Sequence, residues 1–316
     1  MKKKTTLQTI LKPSILLIVF PLAVFAEDLK EASVSRPYAH IAGKPAVPPV
    51  GSKLDSKDGV FILTYNFTTQ GHDALFFELK QNLNSAAELT AKGGLDGIEW
   101  GGDIHVPPGN LKLAETIGTA ARNAGLVNFS YGSYWRADQE PEMIAETAAA
   151  LGVQWIRIWA GTFSSVGCPS EIRKKTVENI RKICQRSNGL QVAAEWHRKT
   201  LTDDAESAAE LLDEVGEDNF FCYFQRDSQH DNLRDIEILP QGRIRAVHVQ
   251  QCENGKRLPL EDGFQEWTEL LARIPINIPL LLEFVKDNSL DQYLADARIL
   301  KKLAAVGCGS RSEKSA

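Results

Sequence analysis

Eight short apolar runs alternate with helix-like segments along most of this chain, and this alternation restricts the possible folds more than any other feature. Apolar runs of this length, bounded by turn residues, indicate strands that are buried on both faces of a parallel sheet. The predicted strands cover residues 59–65, 95–100, 126–131, 154–159, 190–196, 219–224, 243–249 and 278–284. Eight strand–helix units in series predict an α/β protein with a single (β/α)8 TIM barrel.

The segments between the runs place apolar residues three and four positions apart, as amphipathic helices do. Predicted helices cover residues 75–92, 111–124, 142–151, 171–187, 205–215, 261–273 and 290–303, with a weaker one within 228–239. A doubly wound open sheet is the alternative architecture. That fold usually carries a Gly-rich phosphate-binding turn after its first strand, and Tyr65-Asn-Phe-Thr68 is no such turn, so the barrel is favoured.

The first 26 residues differ from the rest of the chain. Lys2-Lys3-Lys4 precede an apolar stretch that ends in Val24-Phe25-Ala26, which predicts a cleavable signal peptide and an exported, periplasmic protein. An uncleaved anchor and a start codon placed too far upstream are the alternatives. The predicted organisation is a signal peptide over 1–26, a flexible Pro- and Ser-rich spacer over 27–57, the barrel over 58–305 and a disordered tail over 306–316.

The charge of the chain bears on its partners. A formal net charge of -5 without a basic stripe argues against a nucleic-acid partner. No segment after the signal approaches about 20 unbroken apolar residues, so we expect no membrane contact beyond the signal. A homo-oligomer is possible, although no surface feature of the sequence indicates an interface.

Four late apolar runs end at a polar residue that can bind a metal: Glu195, Gln225, His248 and Glu283. Parallel βα folds bring the carboxyl ends of their strands together at one rim. Burying two carboxylates and an imidazole together is costly unless a cation or a partner group neutralises them. The sequence therefore predicts a divalent-metal site, and with it a metal enzyme.

Six further side chains fall at the same predicted rim and are candidate substrate-binding residues: Glu99, Trp100, His105, Arg157, Trp159 and His197. His197 follows Glu195 by two residues, so both side chains leave a strand on the same face. Arg157 could bind a carboxylate, phosphate or hydroxyl group, or it could pair with Glu99 inside the barrel. The tryptophans could form apolar walls for a sugar or fill the core. His105 lies in a Gly- and Pro-rich loop, which favours a functional role.

Several of these segments resemble the xylose-isomerase-like TIM-barrel family, which contains sugar (phosphate) isomerases, epimerases and a DNA-repair endonuclease branch. The resemblance covers about residues 59–303. It is carried by Gly94-Leu-Asp-Gly-Ile-Glu-Trp100, Gly101-Gly-Asp-Ile-His105, Ile156-Arg-Ile-Trp-Ala-Gly161, Ala194-Glu-Trp-His197, Ala246-Val-His248 and Leu282-Glu-Phe284.

In such epimerases a divalent ion is held by Glu, Asp, His and Glu from strands five to eight. The resemblance implies Glu195, Gln225, His248 and Glu283 as the ligands, with Gln225 in place of the usual carboxylate. An amide oxygen still binds a hard cation, but Asp227 is the alternative ligand if its loop bends inward. Mixed oxygen and nitrogen ligation suits Mn, Mg, Co or Zn, and manganese is the first expectation.

The resemblance further implies a metal-dependent sugar isomerase or epimerase that acts on a small sugar or keto-sugar. Glu195 and Glu283 would be both ligands and the acid/base pair, and the metal would stabilise an enediolate-type intermediate. An exported 3-keto-glycoside lyase would use the same metal and base for β-elimination. The endonuclease branch is disfavoured because the chain has only six histidines and a negative net charge. A non-catalytic carbohydrate-binding barrel is the alternative outside the enzymes.

Overall fold

Eight parallel strands close into a barrel in the computed structural model, which describes residues 61–64, 90, 93–102, 105–133, 140–240, 242–275, 278–287 and 289–309. The barrel strands are β1 Phe61–Thr64, β2 Gly97–Gly101, β3 Val127–Gly132, β4 Trp155–Ile158, β5 Gln191–Glu195, β6 Phe220–Gln225, β7 Ile244–Val249 and β10 Leu280–Leu282. They follow one another around the barrel in chain order, and β10 closes it by pairing with β1 and β7. The predicted TIM-barrel-like α/β fold is confirmed.

Seven helices accompany the strands in the described part of the chain. They are α1 Leu111–Asn123, α2 Pro141–Leu151, α3 Ser170–Arg186, α4 Ala205–Val215, α5 Asn232–Ile238, α6 Phe264–Leu271 and α7 Leu290–Gly309. Asp204 caps α4, because its side chain accepts a hydrogen bond from the Ser207 backbone N–H. Gly152 ends α2 in the left-handed conformation at φ 75°, which glycine adopts without a Cβ penalty. None of the described helices is both long enough and apolar enough to cross a bilayer.

The end of the last helix differs from the prediction, and several predicted segments cannot be compared with the structure. Helix α7 continues to Gly309, six residues beyond the predicted end at Leu303 and into the segment predicted as a tail. The predicted signal peptide, the spacer, the helix over 75–92 apart from Thr90, and residues 310–316 lie outside the described residues.

A two-stranded antiparallel hairpin between β7 and α6 is absent from the prediction. Its strands are β8 Gln251–Glu253 and β9 Lys256–Leu258. Asn254 and Gly255 connect them with φ values of 50° and 74°, as a tight hairpin turn requires. The Asn-Gly pair is the feature of the sequence that could have predicted this hairpin.

The alternation of side chains along each strand determines which residues face the candidate site. One packed cluster joins residues from several barrel strands, among them Ala193, Tyr223, Ala246 and Leu281. Glu195, Gln225, His248 and Glu283 follow these four residues by two positions, and two positions along a strand return the side chain to the same face. The polar ends of the strands therefore lie one step above this apolar layer.

Candidate metal centre

Three side chains converge at the carboxyl ends of β5, β7 and β10. Glu195 ends β5, His248 lies in β7, and Glu283 follows β10 directly. Each offers one ligand atom, these atoms lie within 4.8 Å of one another, and all three residues are buried. The register explains the convergence, because His248 is level with Gln225 on one side and with Leu281 on the other.

The Nδ1 atom of His248 is the centre of this group. It lies 3.4 Å from Glu195 Oε1, 3.7 Å from Glu283 Oε1 and 3.3 Å from Gln225 Oε1. All four ligands predicted from the sequence thus bring one donor atom each to a single place. Three oxygens and one imidazole nitrogen are a suitable set for a divalent ion of the Mn, Mg, Co or Zn type.

Asp227, the alternative ligand of the sixth strand, is engaged elsewhere. Both of its carboxylate oxygens accept hydrogen bonds from Arg198, at 2.7 and 2.8 Å. The hydrogen bonds from Arg198 also hold the pKa of Asp227 below its ordinary value. The geometry therefore favours Gln225 over Asp227 at this corner of the site.

A second layer of charge lies behind the ligands. The Arg157 guanidinium bonds to both Glu99 and Glu195, with Nε 2.9 Å from Glu99 Oε1 and Nη1 in contact with Glu195 Oε2. Ser130 donates its hydroxyl to Glu99 Oε2, and Trp159 Nε1 donates to Glu195 Oε2 at 2.7 Å. One oxygen of Glu195 is thus fixed by two donors while the other faces His248.

The electrostatics of this group follow from its burial. Burial raises the pKa of Glu195 and Glu99, but the charges of Arg157 and His248 outweigh it, so both carboxylates have a lowered pKa. Burial lowers the pKa of His248, but the charge of Glu283 and its contacts with Glu195 and Glu99 raise it to about 10. Without a metal, His248 is therefore a cation at neutral pH.

The charge balance of these residues fits a divalent ion. Glu99, Glu195 and Glu283 carry three negative charges when ionised, and Arg157 supplies one positive charge, so two negative charges remain among these described buried groups. One 2+ ion beside a neutral His248 would neutralise them, whereas protonated His248 alone would leave one charge uncompensated. The residues present therefore fit the predicted metal.

Two of the six candidate substrate-binding residues border the ligands from partly exposed positions. Trp159 and His197 are half-buried, and their rings stack with centroids 4.2 Å apart at an angle of 20°. His197 Nδ1 lies 2.7 Å from the Arg198 carbonyl oxygen. The stack therefore places a partly exposed pair of aromatic rings next to Glu195, to which Trp159 donates a hydrogen bond.

The other four candidates are buried and have protein partners. Trp100 is 1% exposed and donates its Nε1–H to Asn128, so it belongs to the core. His105 accepts a hydrogen bond from the Gly101 backbone N–H and packs edge-on against Trp100, which gives it a structural role in its loop. Glu99 and Arg157 pair with each other inside the barrel, which was the alternative to substrate binding. These contacts favour core, structural and ion-pair roles, while substrate contact by the four residues stays a prediction.

Sequence reasoning missed Gln250 and a cavity beside the ligands. Gln250 is buried and donates its Nε2–H to Glu283 Oε2 at 3.0 Å. The cavity has a volume of about 230 Å³, and Gln225, His197, Gln250 and Arg198 contribute to its lining. The available signal for Gln250 was its position two residues after His248, although β7 ends between them.

A family comparison defines the class of protein to which this fold and these candidate ligands belong. The model of the xylose isomerase-like TIM barrel family matches residues 87–303. The chain therefore belongs to the xylose isomerase-like TIM barrel family. No curated protein matches it in a sequence comparison.

Several solved structures share this fold. A probable 3-DHS dehydratase from Bacillus anthracis is 19% identical over 77% of this chain and 98% of its own, with a TM-score of 0.61. A D-psicose 3-epimerase studied in the presence of D-fructose is 15% identical over 79% and 100%, with a TM-score of 0.58. A xylose isomerase-like protein from Mycobacterium smegmatis in complex with magnesium is 16% identical over 80% and 99%, with a TM-score of 0.58. At such identities the likeness is one of fold.

Proposed function

We propose that this protein is a divalent-metal-dependent enzyme that isomerises or epimerises a sugar or keto-sugar by abstracting a proton next to a carbonyl. The observation that carries the proposal is the meeting of Glu195, His248 and Glu283, with ligand atoms within 4.8 Å in a buried site. Family membership supports it, as do an epimerase and a magnesium complex among the structural neighbours.

The roles of the residues follow from their contacts. Glu195, Gln225, His248 and Glu283 would hold the ion, with manganese as the first expectation. A bound ion would supply stabilisation for the negative charge of an enediolate-type intermediate. Glu283 would take the proton through a carboxylate oriented by Gln250. Trp159 and His197 would position the ring of the sugar.

One observation favours a second candidate reaction. Oε2 of Glu195 already accepts hydrogen bonds from Arg157 and Trp159, which makes Glu195 a poor proton acceptor. Epimerisation through two bases needs a second carboxylate on the opposite face of the carbon, whereas β-elimination needs a base at one face only. A lyase acting on 3-keto-glycosides is therefore the second candidate, and the dehydratase among the neighbours supports elimination on this fold.

The test begins with metal content and ends with product analysis. We expect about one Mn, Mg, Co or Zn ion per chain in the purified wild type by mass spectrometry, with loss of the ion in Glu283→Gln. Glu115→Gln is the matched control, because Glu115 is exposed on α1 and its substitution removes the same charge. Ketoses and 3-keto-glycosides in D2O then separate the reactions: deuterium on carbon in an isomer or epimer indicates the first, and a released aglycone the second.

The absence of metal after incubation with excess ions would contradict both reactions. It would move the interpretation to a non-catalytic carbohydrate-binding barrel, which titration with the same sugars would detect.

We also propose that the protein is exported to the periplasm after cleavage behind Ala26. The support is the run Lys2-Lys3-Lys4 followed by an apolar stretch. Amino-terminal sequencing of the protein from a periplasmic fraction should begin at Glu27. A full-length chain confined to the cytoplasm would contradict this proposal.

A further inference from the structure

We infer that Glu99 is a positioning residue of the metal centre, which fixes His248 directly and Glu195 through Arg157. The inference rests on the proposed metal centre and goes beyond its ligands. Glu99 lies in β2, on the far side of the His248 ring from the other three ligands, and it is 1% exposed. It is therefore a buried carboxylate next to Nε2 of the His248 ring.

The two nitrogens of His248 face different residues. Nδ1 faces the oxygens of Glu195, Glu283 and Gln225, whereas Nε2 lies 3.5 Å from Glu99 Oε1. Both nitrogens thus face carboxylates, which only accept hydrogen bonds, but only the Nδ1 side carries the other candidate ligands. With a metal bound on that side, the proton would stay on Nε2, next to Glu99. The lone pair of a neutral imidazole is then on Nδ1, where the ligand oxygens are. Carboxylates behind ligating histidines commonly fix the tautomer in this way.

Glu99 also acts on Glu195, through Arg157. Arg157 bonds to Glu99 and to Oε2 of Glu195, which turns Oε1 of Glu195 towards His248. Ser130 holds the second oxygen of Glu99, so this carboxylate has a single orientation. One side chain on β2 thus sets the orientation of ligands on β5 and β7.

The backbone is shaped around this arrangement. A Cβ atom at Gly132 would lie 2.2 Å from Arg157 Nη2 and 2.8 Å from Cζ, so any larger residue would displace the guanidinium. Glycine at this position of β3 leaves the space in which Arg157 joins Glu99 to Glu195. A core ion pair without a role in the metal site would contribute to stability alone, and the tests below separate the two roles.

The first test uses the wild-type protein and needs no variant to fold. Long-range ¹H–¹⁵N spectra of the Zn²⁺-loaded protein report which nitrogen of each histidine is protonated and which binds metal. A His248→Gln variant assigns the signals. We expect Zn²⁺ on Nδ1 and a proton on Nε2 of His248. Zn²⁺ on Nε2 would overturn the inference.

The second test measures Zn²⁺ affinity by competition with a chelator. Glu99→Gln should weaken binding by about 10–100-fold, the usual effect of losing such a partner. Asp296→Asn is the matched control, because Asp296 is also 1% exposed but contacts Leu260 and Gln292, away from the ligands. Its affinity should stay within about twofold of wild type, since distant sites act independently.

The outcomes separate the two proposals. If the wild type binds Zn²⁺ and the Glu99→Gln variant binds it with an affinity within about twofold of wild type, this inference is overturned and the metal centre stands. A wild type that binds no Zn²⁺ would overturn both. Thermal unfolding of the metal-free proteins shows whether each variant is folded, and if Glu99→Gln is not, the spectra of the wild type decide.

Discussion

Replacing Arg157 with methionine removes the one guanidinium that joins Glu99 and Glu195. The side chain is 1% exposed, and methionine fills much of its volume without its charge. Breaking a buried ion pair by removing one partner typically costs about 3–5 kcal/mol, because the other partner remains buried and charged. Two carboxylates lose their partner here, while protonated His248 still compensates part of the charge. We therefore expect the metal-free variant to lose about 3–5 kcal/mol of unfolding free energy at pH 7.5.

The pH dependence of this loss follows from the sign of the pKa shifts. In the wild type, the lowered pKa values of Glu99 and Glu195 give stability that is present above their ordinary pKa of 4.5 and is lost as pH falls below it. In the variant, burial without Arg157 raises both pKa values, so protonation relieves the uncompensated charge. The difference between the two proteins should therefore shrink as pH falls from 7.5 towards 4.5.

Urea unfolding followed by circular dichroism in EDTA measures both quantities. The control is Arg273→Met, because Arg273 is half-exposed and pairs with Glu237 on the surface, where an ion pair contributes about 0–1 kcal/mol. A loss below about 1 kcal/mol for Arg157→Met at both pH values would refute the reasoning. A loss that grows at low pH would also refute it, because the carboxylates would then not be the cause.

Three further predictions concern single groups. In the metal-free protein, the pKa of His248 is raised to about 10. Its protonation therefore contributes stability that is complete below pH 6.5 and is lost as pH rises to 10. Urea unfolding should show this loss of stability in the wild type and not in His248→Gln. Burial raises the pKa of Asp296 to about 6, so ionisation of Asp296 destabilises the native state as pH rises from 3.8 to 6. Between pH 3.8 and 7, the unfolding free energy of Asp296→Asn should therefore gain about 3 kcal/mol relative to wild type. Equal pH dependence of the unfolding free energy in the two proteins would contradict this. Gln225→Glu adds a charged oxygen ligand and should tighten Mn²⁺ binding about tenfold by calorimetry, whereas weaker binding would indicate that Gln225 is not a ligand.

The candidate ligands could be found from the sequence because the periodicity of a strand leaves few possible orientations for each side chain. A buried strand that ends in a polar residue fixes both the rim and the face of that residue, and the barrel brings such residues together. Glu195, His248 and Glu283 follow from this reasoning without knowledge of any loop. Helix α4 likewise matches its predicted range of 205–215, because Asp204 and Gly216 mark its two ends.

The roles of the neighbouring residues could not be found in the same way. Trp100 and Trp159 both end or follow a predicted strand, yet one is a core residue bonded to Asn128 and the other donates to Glu195. Their sequence surroundings do not show which partner lies across the barrel. The hairpin at Asn254-Gly255 is a different case, because its turn signal was present and its strands have only three residues each.

The sequence by itself determined the class of fold, the order of its elements and the residues that can bind a metal, since these depend on local periodicity and on which strands end in polar groups. Only the tertiary structure decided that Arg157 binds Glu99 and Glu195, that Asp227 binds Arg198, and that Nδ1 of His248 faces the other ligands. Long polar side chains have several partners within reach, and the strands packed around them decide which one they meet.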